Sequence, residues 1–586
     1  MKRQAIPIQS ILSALLCCLL PILCPLAADA GMAPDLEAYL QILDPKEAVP
    51  VIVSFAGDSA SPAATLQAGR RFRSAAIRSL HTTARARRQQ MAPLLQDKGV
   101  SRTRSLWLID AMAMTATPGA IRRLAAMEGI AGIRTDRRHH KKDLLMALPY
   151  LMALTDAPES NINQVGAPAL WSLGHFGQGI TVGLIDSGAD LQHPDLADTW
   201  RGGSNSWLDP YGQYASPVDT DSSGHGTAAL GIMVGGDAGG TTIGMAPKAR
   251  WIAARMFDDN DEVTDSVIHQ ILQWFLDPDG NPATDDAPDV INGSWGLLDV
   301  NSEPGACIDE FQQDVANLNA AGIATVFAAG NYGPTDATSI SPANYADAIA
   351  VGVVGGSDTV ADFSSRGPSA CDGRIYPDVV APGVLIKSAA LSLGGQANYV
   401  LISGTSFSTP HASGALALLA GAFPQASLAE LKSALLGSAV DLGATGADNT
   451  YGSGRIAVDD TSGAFAYLRD TLGETPCVRP EISFSATPQP AALGQAVTFT
   501  AAVTGSGGPY TYTWDINGDG TADYATSTFQ HTFSTAYTGS VGLTVTDAAA
   551  DNCPATLFVA DQWAYEPVST GSGGSGGCFF RTVLED

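Results

Sequence analysis

SGTSFSTPH, at residues 403–411, is the stretch that decides the fold, because it separates an apolar strand-like run at 399–402 from an Ala/Leu-rich run of helical character. If one of its serines is a nucleophile, we expect it to be Ser406. A serine hydroxyl at neutral pH needs a neighbouring base and a third group that orients the base. The chain supplies both upstream, with Asp186 in an Asp-Ser-Gly turn and His225 in a Gly-His-Gly-Thr segment.

The surrounding chain alternates apolar runs of strand length with helical patterns. The runs at 180–185, 323–329 and 349–354 are continuously apolar, which is typical of strands covered on both faces. We therefore predict an α/β domain with a parallel sheet and helices on both faces. Chemistry in such sheets gathers at the carboxyl ends of the strands, where Asp186 and Asn331 both fall.

The order of the motifs is more informative than any one of them. A Gly-Thr-Ser tripeptide or an Asp-Ser-Gly turn is usually an ordinary loop. Asp186, His225 and Ser406, however, follow one of the chain orders known for catalytic triads. The segment does not match the G-x-S-x-G elbow of other hydrolases, because Ser408 occupies the position of the second glycine.

With these motifs in this order, the chain resembles the subtilase family of serine peptidases. The resemblance extends over about residues 164–469, and the segments at 251–255 and 289–296 resemble the bacillopeptidase F branch of that family. The matching segments are DSG at 186–188, HPDL at 193–196, GHGT at 224–227, AAGN at 328–331, FSSRGP at 363–368, PDVVAPG at 377–383 and GTS at 404–406.

The resemblance implies a role for each candidate site residue. Ser406 would attack the peptide carbonyl, His225 would take its proton and return it to the leaving amine, and Asp186 would hold the imidazolium. Asn331 and the backbone N–H of Ser406 would form the oxyanion hole. The segment that would pair with the substrate backbone is Ser294, Trp295 and Gly296.

Two dipeptides depart from residues that are frequent in the family. Ala228 and Ala229 follow Gly-His-Gly-Thr where His-Val is frequent, and Phe407 and Ser408 follow the nucleophile where Met-Ala is frequent. Neither position supplies triad chemistry, so we expect altered packing and retained activity. The alternative is a catalytically silent binding or adhesion protein built on the same fold.

Charge is distributed unevenly along the 586 residues, a length that predicts three or four folded units. Residues 1–143 hold 20 lysines and arginines against 11 acidic residues, a balance of +9, and the remainder holds 12 against 48, a balance of −36. Because the acidic body would repel phosphates, we expect no nucleic-acid partner. Opposite charge favours association of the basic segment with the acidic body.

Residues 1–30 have the three regions of a secretory signal peptide, namely Lys2 and Arg3, an apolar run at 11–26, and Ala-Asp-Ala before Gly31. A membrane anchor needs about 18 or more apolar residues, and two prolines interrupt this shorter run. A lipoprotein signal at Cys24 is disfavoured by the large residue before it. We therefore expect a secreted protein without a transmembrane segment in its mature form.

Residues 44–140 follow the order strand, helix, strand, strand, helix, strand of a split β-α-β unit. The pattern alone fits an ordinary binding domain equally well. The resemblance implies instead an α+β, ferredoxin-like inhibitory propeptide over 31–155, cleaved between His139 and Pro158 from a peptidase domain at 156–472. The expected strands are 49–55, 105–109, 111–115 and 130–133, and the expected long helix is 62–97.

A proline-containing linker at 474–481 leads to short alternating strands. They predict an all-β, immunoglobulin-like sandwich at 480–560, which resembles a PKD module, and a Gly/Ser-rich tail follows at 561–586. The expected strands are 495–502, 510–514, 529–533 and 542–545.

Calcium is an open question at three acidic stretches. Residues 515–523 resemble the start of a calcium loop, but Thr526 stands where the acidic twelfth ligand belongs, so a turn is the simpler interpretation. Solvated loops are the corresponding interpretation at 258–262 and 277–289. The predicted chemistry requires no cofactor.

Five cysteines remain after removal of the signal, in an oxidising compartment. Spacing alone does not fix their pairing. We predict one bridge between Cys307 and Cys371 and another between Cys477 and Cys553, which leaves Cys578 odd.

These observations predict a secreted serine endopeptidase that is made as an inactive precursor and hydrolyses protein or peptide substrates through an acyl-enzyme intermediate. Its own propeptide is the expected intramolecular inhibitor. We expect the protein to be a monomer.

Overall fold

The structure is a computed structural model that describes residues 31–56, 73–145, 151–152, 159–298, 301, 303–473, 475–505, 507–548 and 553–566. The expected signal peptide, the first part of the expected long helix, part of the expected cleavage region and residues 567–586 of the expected tail, with Cys578, lie outside these residues. The tail's expected start at residue 561 is wrong, because residues 561–565 belong to the strand Cys553–Tyr565. The chain forms two compact units. One comprises residues up to 59 together with 80–137, and the other comprises 60–79 and the chain from 138 onward.

The first unit contains one five-stranded sheet. Its strands are β1 (Gly31–Met32), β2 (Val49–Phe55), β3 (Val100–Leu106), β4 (Ala111–Ala116) and β5 (Ile130–Thr135), and its helices are α1 (Pro34–Ile42), α2 (Arg73–Leu95, from Leu80 onward in this unit) and α3 (Pro118–Ala125). The sheet order is β1-β5-β2-β4-β3. β1 is parallel to β5, and the other pairs are antiparallel.

The strand expected at 105–109 is wrong in its bounds. β3 ends at Leu106, and Trp107–Ile109 form a 3-10 turn instead. Asp110 then adopts φ 48°, a left-handed conformation that aspartate tolerates better than most residues. This tight reversal lets β4 return alongside β3, and the alternating pattern of the sequence did not reveal it.

The peptidase part of the second unit is built on parallel strands. Its strands are β6 (Arg138–His140), β7 (Leu151–Met152), β8 (Thr181–Asp186), β9 (Trp207–Leu208), β10 (Arg250–Arg255), β11 (Glu262–Thr264), β12 (Val290–Gly293), β13 (Ala324–Ala328), β14 (Ile349–Val354), β15 (Val379–Pro382), β16 (Ile386–Ala389) and β17 (Tyr399–Ile402). Its helices are α4 (Lys141–Leu144), α5 (Ser160–Val165), α6 (Ala167–Ser172), α7 (Pro194–Ala197), α8 (His225–Val234), α9 (Asp265–Leu276), α10 (Gln312–Ala320), α11 (Thr405–Ala422), α12 (Leu428–Gly437) and α13 (Ala464–Leu472).

Seven of these strands form the predicted parallel sheet, in the order β15-β14-β13-β12-β8-β10-β9. Successive residues of a strand point to opposite faces. Along β8, Val182 and Leu184 belong to the core cluster that includes α11, whereas a Cβ on Gly183 would meet Phe275 of α9 at 2.7 Å. Helices therefore cover both faces, which confirms the expected α/β architecture.

The C-terminal part of the second unit is all β. Its strands are β18 (Glu481–Thr487), β19 (Ala491–Ala492), β20 (Ala496–Thr504), β21 (Tyr510–Asp515), β22 (Thr528–Thr532), β23 (Tyr537–Asp547) and β24 (Cys553–Tyr565). They form two sheets, in the orders β18-β20-β22 and β19-β24-β23-β21. Phe499, Trp514 and Trp563 are buried between them, which confirms the predicted sandwich.

The sandwich packs directly on the peptidase part. Asn205 donates to the carbonyl of Phe558 at 3.2 Å and accepts from the N–H of Ala560 at 3.1 Å. The guanidinium of Arg479 donates to the carbonyls of Gly421 and Gly179.

The predicted bridges Cys307–Cys371 and Cys477–Cys553 are both present. Of the helices in the described residues, none combines the length and the apolar character needed to cross a bilayer.

Candidate active site

Asp186 and His225 form a buried hydrogen-bonded pair. Asp186 is the last residue of β8 and His225 the first residue of α8, and Asp186 Oδ1 lies 2.8 Å from His225 Nδ1. A side chain at Gly226 would meet the carbonyl oxygen of Gly188 at 2.2 Å, so the glycine allows α8 to approach the turn after β8. Burial lowers the pKa of His225, but Asp186, Asp221 and Asp219 together raise it above its ordinary value.

Asp219 binds residues near both members of this pair, and the sequence did not predict this contact. One oxygen of its carboxylate accepts from Ser187 Oγ at 2.9 Å, and the other accepts from the N–H and Oγ1 of Thr227. Burial raises the pKa of Asp219 to about 6. Ser187 directly follows Asp186 in sequence, and Thr227 is two residues after His225. The only signal in the sequence was an Asp-Thr-Asp segment shortly before Gly224.

Ser406 is the second residue of α11, where backbone N–H groups have no partner within the helix. Its hydroxyl donates to the carbonyl of Ser294 at 3.3 Å. The centroids of the His225 and Phe407 rings are 5.2 Å apart. Within the described part of the chain, His225 Nε2 has no hydrogen-bond partner. The structure therefore shows no hydrogen bond between Ser406 Oγ and His225 Nε2.

Asn331 lies three residues beyond the end of β13 and is fixed by Thr405. Its Oδ1 accepts from the N–H of Thr405 at 3.0 Å and from Thr405 Oγ1 at 2.9 Å, which fixes the orientation of the amide. Gly404 has φ 146°, and a side chain there would meet Asn331 Nδ2 at 3.3 Å. Glycine at this position keeps space open beside the amide.

Ser294, Trp295 and Gly296 follow directly after β12. Ser294 Oγ donates to the carbonyl of Ser406 at 2.7 Å, which ties the segment to the start of α11. The Trp295 side chain is fully buried, with its ring 5.6 Å from that of Phe327. The indole of Trp295 therefore belongs to the core.

The connector, defined as residues 138–145, contacts this segment. Its strand β6 pairs antiparallel with β11, and the N–H of Gly296 donates to the carbonyl of Leu144 at 3.2 Å. β7 pairs antiparallel with β17, the strand that precedes α11. The chain on either side of 146–150 therefore lies along elements that adjoin the candidate site.

Three carboxylates lie together elsewhere in the peptidase part. One ligand atom each of Asp277, Asp279 and Asp286 lie within 4.8 Å of one another. Burial and the neighbouring carboxylates raise the pKa of Asp277 to about 8 and that of Asp286 to about 7. The solvated-loop interpretation of 277–289 is therefore wrong for Asp277 and Asp286, which are buried. Oxygen clusters of this kind suit calcium, and calcium stays a prediction.

In the loop at 515–523, the Asp515 carboxylate accepts from the N–H groups of Asp519 and Gly520, at 3.2 and 2.8 Å. These bonds are those of a turn.

A parallel α/β sheet with a buried Asp–His pair and a serine at the start of a neighbouring helix is an arrangement of serine peptidases. The sequence profile of the subtilase family matches residues 177–454, and that of the PKD domain matches residues 481–555. The chain belongs to the subtilase family.

Three relatives show which parts of the chain are similar to known proteins. Bacillopeptidase F of Bacillus subtilis (strain 168) is 32% identical over 479 residues, which are 76% of this chain but 32% of that protein. Subtilisin E of the same organism is 31% identical over 370 residues, 62% of this chain and 84% of the relative. Subtilisin Savinase of Lederbergia lenta is 33% identical over 296 residues, 50% and 95% of the two chains.

Proposed function

We propose that the chain is a secreted serine endopeptidase that is made as an inactive precursor. The observation that carries the proposal is the buried 2.8 Å contact between Asp186 and His225 beside the helix that begins at Thr405. An acid that holds one ring nitrogen leaves the other to act as a base toward Ser406. The relatives named subtilisin agree with this reaction class.

The reaction follows from these positions. Ser406 Oγ attacks the carbonyl carbon of the substrate while its proton passes to His225 Nε2, and Asp186 stabilises the imidazolium. The oxyanion is held by Asn331 Nδ2 and the N–H of Ser406. The imidazolium then gives its proton to the leaving amine, which forms the acyl-enzyme. Water, activated by His225, releases the acid and restores the serine.

The backbone of Ser294–Gly296 would bind the substrate as an added strand. The hydrogen bond between Gly296 and Leu144 supports this role, because the connector makes the same type of contact. We infer that the connector blocks the cleft until it is cut between His139 and Pro158, and that the preceding propeptide inhibits the peptidase until then. Export rests on the signal-like sequence of residues 1–30.

We propose further that the substrates are proteins or peptides, that the enzyme acts as a monomer and that its chemistry requires no calcium. The test is hydrolysis of casein by the processed protein, before and after treatment with a serine-directed organophosphate. We expect hydrolysis that the reagent abolishes. Absence of inhibitable hydrolysis would favour the rival function, a silent binding protein.

A further inference from the structure

Three basic or ionisable side chains of the connector meet four carboxylates of the peptidase part. Lys141 Nζ lies 2.8 Å from Asp221 Oδ1 and 2.7 Å from Asp261 Oδ1. His139 Nε2 lies 2.6 Å from Asp265 Oδ1, and Arg138 pairs with Glu262 at 2.5 Å.

The four carboxylates lie on elements that border the candidate active site. Asp221 is four residues before His225, and its Oδ2 accepts from the N–H of His225 at 3.4 Å. Asp261 directly precedes β11, Glu262 begins β11, and Asp265 is the first residue of α9. We call this set of Asp221, Asp261, Glu262 and Asp265 the acidic subsite.

Backbone geometry connects the acidic subsite to the course of a bound peptide. β6 pairs antiparallel with β11 through the partners His140 and Glu262, His139 and Val263, and Arg138 and Thr264. The N–H of Lys141 donates to the carbonyl of Asp261 at 2.7 Å. A few residues later, Leu144 accepts from Gly296. A peptide that follows this course places its side chains over the same carboxylates.

The contacts of the subsite differ in their expected strength. The Arg138 side chain is largely exposed and that of Glu262 is partly exposed, and ion pairs at the surface contribute little. Asp265 is almost fully buried against His139, and Lys141 is mostly buried between two carboxylates. Burial lowers the pKa of Lys141, but Asp221 and Asp261 raise it above its ordinary value. Lys141 therefore binds as a cation, and the contacts at Asp265 and Lys141 dominate.

We propose that the acidic subsite selects substrates that carry lysine, arginine or histidine on the N-terminal side of the scissile bond. The inference rests on the proposed peptidase function and specifies its substrate class. The connector is then held by the contacts that select substrates, and a basic peptide replaces it after cleavage.

The test is a cleavage profile of the processed protein on a library of peptides from a digested proteome. We expect basic residues to be enriched at one or more positions before the cut bond. For a peptide from the library and its Lys→Gln analogue, we expect kcat/KM to favour the basic peptide about tenfold. This ratio should decrease when NaCl is raised from about 50 to 500 mM, because salt screens the attraction.

Two variants locate the effect. Asp265→Asn, which keeps the shape of the side chain, should reduce the enrichment and the kcat/KM ratio severalfold. Asp259→Asn is the matched control, since Asp259 lies in the same loop but contacts Arg255 and Gln213. It should leave the ratio unchanged.

The outcomes separate this inference from the proposed function. Cleavage without enrichment of basic residues, or enrichment that is unchanged in Asp265→Asn, overturns the acidic subsite while the peptidase stands. Absence of cleavage of the whole library, together with absence of casein hydrolysis, contradicts both.

Discussion

His225 Nδ1 and Asp186 Oδ1 lie 2.8 Å apart, and both side chains are almost completely excluded from solvent. The contact fixes Nδ1 as the protonated nitrogen and Nε2 as the basic one. Asp186 Oδ1 also accepts from the N–H of Ser187 at 2.7 Å, which holds the carboxylate in place. The tautomer of the histidine is thus determined by the end of β8.

Asp186→Asn should preserve the fold and reverse this tautomer, since an amide nitrogen donates where the carboxylate accepts. We expect kcat to fall about 10⁴-fold with little change in KM. Steady-state kinetics on one peptide checks the prediction. A decrease in kcat of less than about tenfold would show that Asp186 does not orient the base.

Asp221→Asn should shift the pH profile. Protonated His225 cannot accept the serine proton, so kcat/KM rises with pH through the pKa of His225. Asp221 is among the carboxylates that raise this pKa, and its loss should move the acid limb to lower pH. The profile is measured on a neutral peptide, with Asp259→Asn as the control. A shift of the acid limb to higher pH, or an equal shift in Asp221→Asn and Asp259→Asn, would refute the effect of Asp221 on the pKa of His225.

Asn331→Ala should remove one donor to the oxyanion. We expect kcat to fall about 10²- to 10³-fold, the loss seen when such a donor is removed from subtilisin. KM should change little, because the bond strengthens in the transition state. Thr405→Val, which removes one of the two bonds that fix the amide, should cause a smaller loss in the same direction. Retention of full kcat by Asn331→Ala would exclude this role.

His269 should make stability depend on pH. Burial lowers its pKa, but Asp314 and Glu310, both in contact with the ring, raise the pKa to about 9. The folded pKa lies above the unfolded value of 6.5, so the stabilisation is fully present below pH 6.5 and is lost as pH rises through 9. The linkage is worth about 3 kcal/mol.

Urea unfolding of the inactive Ser406→Ala chain, with and without His269→Gln, measures this dependence. Between pH 6.5 and 9.5 the free energy of unfolding should fall more steeply when His269 is present. Equal slopes in the two chains would contradict the raised pKa.

The sequence predicted the parts of the site that depend on local pattern. The apolar run before Asp186 and the buried helix after Ser406 indicated their elements correctly, and both disulfide pairs were predicted. Contacts between distant segments were not visible. Two examples are the hydrogen bonds that Asp219 accepts from Ser187 and Thr227 and the burial of Asp277. Both depend on the course of loops, which have no periodic sequence pattern.

Ser406 carries the central claim, and one measurement tests it most directly. The full chain and its Ser406→Ala variant are expressed with the signal sequence, and the secreted products are analysed by intact mass and by reaction with a serine-directed fluorophosphonate. The account predicts a shortened chain, cut between His139 and Pro158 and labelled at Ser406, and an uncut, unlabelled variant. A variant that is cut at the same bond, or labelling of the native chain at another serine, would contradict it.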